Sequence, residues 1–386
     1  MLKKGRTGIL LLVVMCVSLF AIQPNPLISR FKPIYASFTG SPTAIVNGKF
    51  GETAWSVSDS SWIAINLEAG PTKIFFTWNS PNYMWSDSIA KPTNCIEGLP
   101  VPVDYKILVS GNSTNGIDGE WNTVDSVFGN NVAARAHVIN FSNSSWVKMI
   151  VVKGNGKIDE IEVFDISKGN DDTWFFLGTS ITANAFKGPI QVKNFGHYIM
   201  DYVRDFNPNA TPAFIRGGIG CATLAGIAAD LNKIMDIAGN VNYFAIEVGT
   251  NDAWGGSTDN LKSFTDNLQL LINSCKTHHI HPIIARIPAT DSAKASWQVN
   301  AGFLKAIDDL TRKNNLTPGP DLYNWFLKHP EELKEDGIHP SRQGGATIQR
   351  LWAEAVYMLY KEPNKEPSKA PGKAPSKAPG KKKGKK

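Results

Sequence analysis

Between residue 37 and about residue 167, apolar positions come in short alternating or β-rich runs, broken by Gly, Asn, Ser and Pro. Such runs lie at 62–67, 73–78, 104–109, 147–152 and 158–164, with no long helical period between them. Short strands with turn signals at regular intervals predict an all-β sandwich. After Gly169-Asn170-Asp171-Asp172 the pattern changes. Apolar runs at 174–177, 213–215, 243–248 and 282–287 predict short strands, and amphipathic stretches such as 261–275 and 346–360 predict helices. Strands that alternate with helices predict a parallel sheet in an α/β layer structure.

The two ends of the chain follow neither pattern. Lys3, Lys4 and Arg6 precede an apolar run at 9–22, shorter than the ~20 residues that cross a bilayer core but suited to a signal peptide. Export is therefore expected, with cleavage after Ala21 or after Ala36 and an uncleaved anchor as the alternative. Residues 1–36 are read as signal and pro-like segment, 37–167 as the sandwich, 168–361 as the α/β domain and 362–386 as a tail. In the tail Lys and Pro each recur every fourth residue, a composition with almost nothing to bury and so an extended, disordered segment.

Charge follows the same division. The 386 residues carry a formal net charge of +6, yet ten lysines lie between 361 and 386 and five basic residues without an acid between 1 and 36. The body between them is net acidic, which excludes a nucleic-acid-binding core, because phosphate neutralisation needs a basic face. The tail suits an anionic cell-wall or surface polymer, with a solvated spacer as the alternative reading. Of four cysteines, Cys16 lies in the apolar run, and Cys95, Cys221 and Cys275 are too few and too scattered to predict a disulfide framework or a metal site. His278, His279 and His281 read as a solvated turn. No cofactor is called for.

Three separated segments carry chemistry. In Phe176-Leu177-Gly178-Thr179-Ser180 a strand ends at a Gly, and Ser180 opens the next element at the carboxyl end of that strand, where open α/β sheets build their sites. Glu247-Val248-Gly249-Thr250-Asn251-Asp252 again follows a strand, and Asn251 could aim its amide at a developing alkoxide. In Asp336-Gly337-Ile338-His339-Pro340, the acid and the imidazole lie three residues apart, close enough to pair on one loop. A Ser hydroxyl needs such a base, and the base needs such a carboxylate.

Taken in order, these blocks resemble those of the SGNH hydrolases, also called the GDSL esterase/lipase family, over residues 174–361. The resemblance implies a three-layer, flavodoxin-like α/β fold, with Ser180 as nucleophile, His339 as base and Asp336 as its partner. It also implies an oxyanion hole from the Ser180 N–H, the Asn251 side chain and a backbone N–H of the block Gly218-Ile219-Gly220-Cys221-Ala222-Thr223. That donor is Gly220 or Cys221 according to register, and a catalytic thiol at Cys221 is a weaker alternative. The family's usual Asp before the nucleophile is replaced by Thr179, which must alter the hydrogen bonding of the turn. Trp254, just past Asn251, is a candidate to line the substrate cleft.

The stretches 104–111, 119–124, 146–152 and 158–165 resemble the discoidin, or F5/8 type C, galactose-binding-like sandwich, over residues 40–166. Members often hold sugars on loop aromatics. Trp55, Trp62, Trp78, Trp85, Trp121 and Trp146 are available, with Trp121 and Trp146 expected in the core and Tyr83 and Trp85 expected to be exposed. The expected activity is that of a secreted serine esterase taking acyl groups, O-acetyl first among them, from an acylated carbohydrate. A lipase or phospholipase, a catalytically silent carbohydrate-binding protein and a surface-attachment protein are the alternatives.

Overall fold

The computed structural model describes residues 26–38, 41–50, 54–80, 100–168, 172–186 and 198–360. Two layers of antiparallel strands form the N-terminal sandwich. Its five-stranded sheet runs in the order β1-β3-β8-β5-β6, from β1 (Ile34–Ala36), β3 (Trp62–Asn66), β8 (Trp146–Gly154), β5 (Pro102–Ser110) and β6 (Asn122–Val127). A three-stranded sheet, β10-β4-β7, faces it, from β10 (Glu160–Asp165), β4 (Lys73–Asn79) and β7 (Ala134–Asn140). A short pair, β2 (Trp55–Val57) with β9 (Gly156–Ile158), closes one side. Ile63, Ile65, Tyr105, Ile107, Met149 and Val151 from one sheet meet Ile74, Phe76, Trp78, Ile161 and Val163 from the other.

The sandwich begins before residue 37. β1 pairs with β3, Leu27 bridges to Phe164, and Arg30 holds Glu162 at 2.8 Å. Part of the stretch read as pro-like is therefore built into the fold.

The second domain has a parallel sheet in the order β12-β11-β13-β14-β15, from β11 (Thr173–Gly178), β12 (Ala213–Gly218), β13 (Tyr243–Glu247), β14 (His281–Arg286) and β15 (Pro318–Asp321). Helices α1 (Ser180–Ala185), α2 (Tyr198–Phe206), α3 (Leu224–Ala229), α4 (Leu231–Ala238) and α5 (Leu261–Thr277) are followed by α6 (Ser292–Ala295), α7 (Ala301–Lys313), α8 (Leu322–Lys328), α9 (Arg342–Ala355) and α10 (Tyr357–Tyr360). Strands β11 and β13 read as unbroken apolar runs because a parallel sheet is covered on both faces. The expected three-layer α/β domain behind an all-β sandwich is what the chain forms.

The two units share a face. In β4 the run Ile74, Phe75, Phe76, Thr77, Trp78 is buried without alternation. Its even positions Ile74, Phe76 and Trp78 fill the sandwich, while Phe75, with Phe164 and Ala136, joins the core of the α/β domain. Phe164 lies 5.7 Å from Phe214 of β12. The Arg216 guanidinium pairs with buried Asp159 at 3.2 Å and covers the Phe50 ring, and its carbonyl accepts from Asn79 Nδ2 at 3.0 Å. Edge strand β12 is thereby covered instead of left open.

Candidate active site

The site lies beyond the carboxyl ends of β11, β12 and β13. Thr179 caps α1, its hydroxyl accepting from the Ile181 N–H at 3.2 Å, so Ser180 becomes the first helical residue with its own N–H free of an intrahelical partner. Gly178 is required by close approach, since a Cβ there would come within 2.0 Å of Thr182 Oγ1.

The loop that carries His339 is closed on itself. Leu333 bridges to Pro340, the Lys334 N–H donates to the His339 carbonyl at 2.8 Å, and Gly337 turns the chain at φ 67°. The closure aims the imidazole at the helix start. Ser180 Oγ and His339 Nε2 are 2.8 Å apart, and His339 Nδ1 and Asp336 Oδ2 are 2.7 Å apart. Asp336 Oδ1 accepts from the N–H groups of Ile338 and His339, both at 2.9 Å. Burial pushes the Asp336 carboxyl up, but these two N–H groups and the His339 ring outweigh it and hold the group below its ordinary value. The His339 and Asp336 side chains are 27% and 44% exposed, so the chain of bonds opens to solvent on one side.

Asn251 stands opposite. Its Nδ2 donates to the Ala222 carbonyl at 2.8 Å, which ties it to the turn 219–222 and leaves its second N–H for a ligand. Within that turn the Ala222 N–H reaches back to the Ile219 carbonyl, and no described residue accepts from the Gly220 N–H. Cys221 has φ 57°, in the left-handed region, and is disulfide-bonded. A single bond is not the disulfide framework that the sequence argued against, but nothing in the sequence signalled it, and it removes the catalytic-thiol reading, because a thiolate is needed. The partner sulfur lies outside the described residues, and Cys275 is free and buried.

Sequence reasoning passed over three further groups. Glu247, at the end of β13, is buried beneath the Ser180 turn, where its Oε2 accepts from Thr182 Oγ1 at 3.0 Å and Thr179 Oγ1 at 3.2 Å. Burial pushes its carboxyl up to about 7 against those hydrogen bonds. It supplies a carboxyl to the turn in which Thr179 replaces the family's Asp. Asp252 accepts the Leu224 N–H at 3.1 Å on both oxygens, joining the Asn251 loop to α3, and burial raises it to about 6. Trp297 lies 5.4 Å from Trp254, ring to ring. A carboxylate closing an apolar strand was the available signal for Glu247; nothing in the sequence placed Trp297 beside Trp254.

Trp254 is 53% exposed, at the rim beside Asn251. Tyr83 and Trp85 lie outside the described residues. Trp55 and Trp78 are fully buried in the core; Trp146, 2% exposed, is buried on the outer face of the five-stranded sheet against Tyr35 and Trp121, and Trp62 and Trp121 are half-buried, against the expectation that Trp121 and Trp146 are core. His278 and His279, just past α5, and His281, at the start of β14, are exposed.

This arrangement is one for acyl transfer, and the family comparison agrees. Residues 175–352 match the model of the GDSL-like lipases and acylhydrolases, and that part of the chain is a domain of this family, a carboxylic ester hydrolase. Among solved structures, the chain is similar to a lipase/acylhydrolase from Enterococcus faecalis (22% identity, 50% of this chain and 99% of that one, TM-score 0.39). It is also similar to an acetylxylan esterase from Geobacillus stearothermophilus (16% identity, 50% and 97%, TM-score 0.40). A third is chitosan-binding module 2 of a chitosanase/glucanase from Paenibacillus sp. IK-5 (21% identity, 36% and 98%, TM-score 0.27). Among curated proteins none matches.

Proposed function

We propose that the protein is an exported serine esterase that removes acyl groups, O-acetyl first among them, from a polysaccharide. The observation that carries this reading is the hydrogen-bonded chain Ser180–His339–Asp336 at the mouth of the parallel sheet. His339 Nε2 takes the Ser180 proton as Oγ attacks the ester carbonyl carbon. The oxyanion is held by the Ser180 N–H, the free Asn251 N–H and a backbone N–H at Gly220 or Cys221. His339 then passes the proton to the departing sugar hydroxyl, leaving an acyl-enzyme on Ser180. Water, deprotonated by the same imidazole, releases the acid. Asp336, kept ionised by its N–H donors, holds the imidazole tautomer and balances its positive charge.

The sugar reading is supported by the rim. Trp254 and Trp297 present tilted aromatic faces between the Asn251 loop and α6, and α6 abuts the catalytic loop where the Asp291 N–H donates to the Gly337 carbonyl at 2.8 Å. Aromatic faces suit the apolar side of a pyranose ring better than a flexible acyl chain. Export is supported by the basic and apolar N-terminal segment and by the disulfide at Cys221, which fits an oxidising compartment. Cleavage after Ala21 leaves β1 and Arg30 in place, whereas cleavage after Ala36 would remove both. The lysine tail would hold the enzyme near anionic surface polymer. Acetate release from a panel of acetylated polysaccharides, by wild type and by Ser180→Ala, tests the reading. Release by the wild type alone supports it, and turnover of small esters only would sink the polysaccharide assignment.

A further inference from the structure

A second site suggests itself on the outer face of the five-stranded sheet, remote in sequence from the esterase residues. Side chains of β8 alternate: Val147, Met149 and Val151 point into the core, so Trp146, Lys148 and Ile150 point the other way. Lys148 sits in mid-sheet, opposite Ala64 of β3 and Leu108 of β5. Its Nζ lies 3.7 Å from the centroid of Trp121 and 5.0 Å from that of Trp62.

The cage is fixed from several sides. Trp121 meets Trp146 edge to face at 6.5 Å, and its Nε1 donates to the Asp118 carbonyl at 2.9 Å. Tyr35 closes on Trp146 at 5.4 Å, and the 111–121 loop lies on the same face, Gly116 against Tyr35 and Ala64. Of the loop's carboxylates, Asp118 is occupied by Ser113 and Thr114, and Glu120 is exposed and makes no ion pair with Lys148.

Lys148 is only 7% exposed, yet its ammonium has no hydrogen-bond acceptor and no acidic partner among the described residues, and Nζ is not sealed from solvent. Burial holds its pKa below the ordinary lysine value. Cation–π contact compensates part of such desolvation and leaves the charge unneutralised. Lys106, diagonal to it on β5, adds a second positive charge to the face, and the rings that flank Lys148, Trp62 and Trp121, are half-buried.

We infer that Trp62, Trp121 and Lys148 form a binding site for an acidic sugar, the ammonium pairing with a uronate carboxylate while an indole face stacks on the ring. This rests on the polysaccharide reading and narrows it to a polymer with uronic acid residues. The site would hold the chain on the sandwich while the esterase domain works along it.

Titration calorimetry of the full chain with trigalacturonate, and with xylotriose as the neutral control, tests the inference. Lys148→Met keeps the stem between the indoles and removes the charge. The dissociation constant should rise at least tenfold in that variant and stay within about threefold in Lys148→Arg. The lysine tail is common to all three chains, so their difference isolates this face. Trp62→Ala, nearer the sheet edge, should also weaken binding at least fivefold and serves if Lys148→Met fails to fold. Equal affinity in wild type and Lys148→Met, no binding by the wild type, or equally tight binding of xylotriose would overturn it. Hydrolysis of a chromogenic acetate by the same wild-type preparation reports separately on the esterase reading.

Discussion

The molecule contains two hydroxyl–imidazole–carboxylate chains of nearly the same geometry. In the α/β domain Ser180, His339 and Asp336 are joined at 2.8 and 2.7 Å; in the sandwich Tyr105, His137 and Asp125 are joined at 3.0 and 2.6 Å. Distances alone do not separate them. The sandwich chain is sealed at its hydroxyl and imidazole, with only the Asp125 side chain, 36% exposed, reaching solvent: Tyr105 is 1% exposed, its hydroxyl also accepts from Trp78 Nε1 at 3.1 Å, and the His137 side chain is 4% exposed. Burial pushes the Tyr105 phenol up and the His137 imidazole down, which favours the neutral form of each, and no substrate can reach the buried hydroxyl. The Ser180 chain opens to solvent beside free N–H donors at the end of a parallel sheet. Position in the fold, not the bonding pattern, is what separates the proposed nucleophile from a structural polar spine.

Substitutions should divide the two chains cleanly. The largest effect expected is a loss of ester turnover by a factor of roughly 10³ or more in Ser180→Ala and in His339→Ala, with the fold intact by circular dichroism. Tyr105→Phe should leave turnover unchanged and cost stability, because Trp78 Nε1 and His137 lose a buried partner, about 1–3 kcal/mol by denaturant titration. An unchanged rate in either first variant, or a lost rate in the last, would reverse the assignment.

Asp336→Asn should slow turnover between tenfold and about 10⁴-fold by mis-setting the imidazole tautomer. A change smaller than tenfold in kcat/KM would remove its orienting role.

One buried group in each domain should also contribute to pH dependence with opposite sign. His137 has a folded-state pKa below its ordinary 6.5, so below that value the unfolded chain binds the extra proton and stability falls as pH falls. Asp125, lowered chiefly by its bond to His137 against burial, acts in the same direction in more acid solution. Glu247 is raised from 4.5 to about 7, so the unfolded chain releases its proton first and this contribution is lost as pH rises between those values. Glu247→Gln should therefore gain Tm relative to wild type at pH 8 more than at pH 5. Equal differences at both pH values would mean that the carboxyl is not held neutral by burial.

The extent to which sequence revealed these features follows from what each depends on. The strands of the α/β domain and its three blocks were legible because short apolar runs end in residues whose chemistry is local: Gly178 with Ser180, Asn251, and Asp336 with His339. The sandwich was legible as a class but not by residue. Trp55, Trp62, Trp78 and Trp121 look alike in sequence, and only strand pairing and the fold of the 111–121 loop decide which rings are buried. The run Phe75-Phe76 gave no sign that one ring faces the second domain, since two-sided burial depends on a neighbour far along the chain. The disulfide at Cys221 was hidden for the same reason.

The smallest expected effect concerns the tail. Deleting residues 362–386 should weaken retention on anionic cell-wall material and abolish its salt sensitivity, while hydrolysis of a small soluble ester stays the same. Equal retention at low salt would leave the tail a spacer.

Labelling with a fluorophosphonate, in which an activated Ser Oγ displaces fluoride, tests the nucleophile most directly. Peptide mass mapping should find one adduct, on the peptide that contains Ser180, and the adduct should vanish in Ser180→Ala together with turnover of a chromogenic acetate. An adduct on another residue, or ester hydrolysis that persists in Ser180→Ala, would contradict the assignment of Ser180 as the nucleophile.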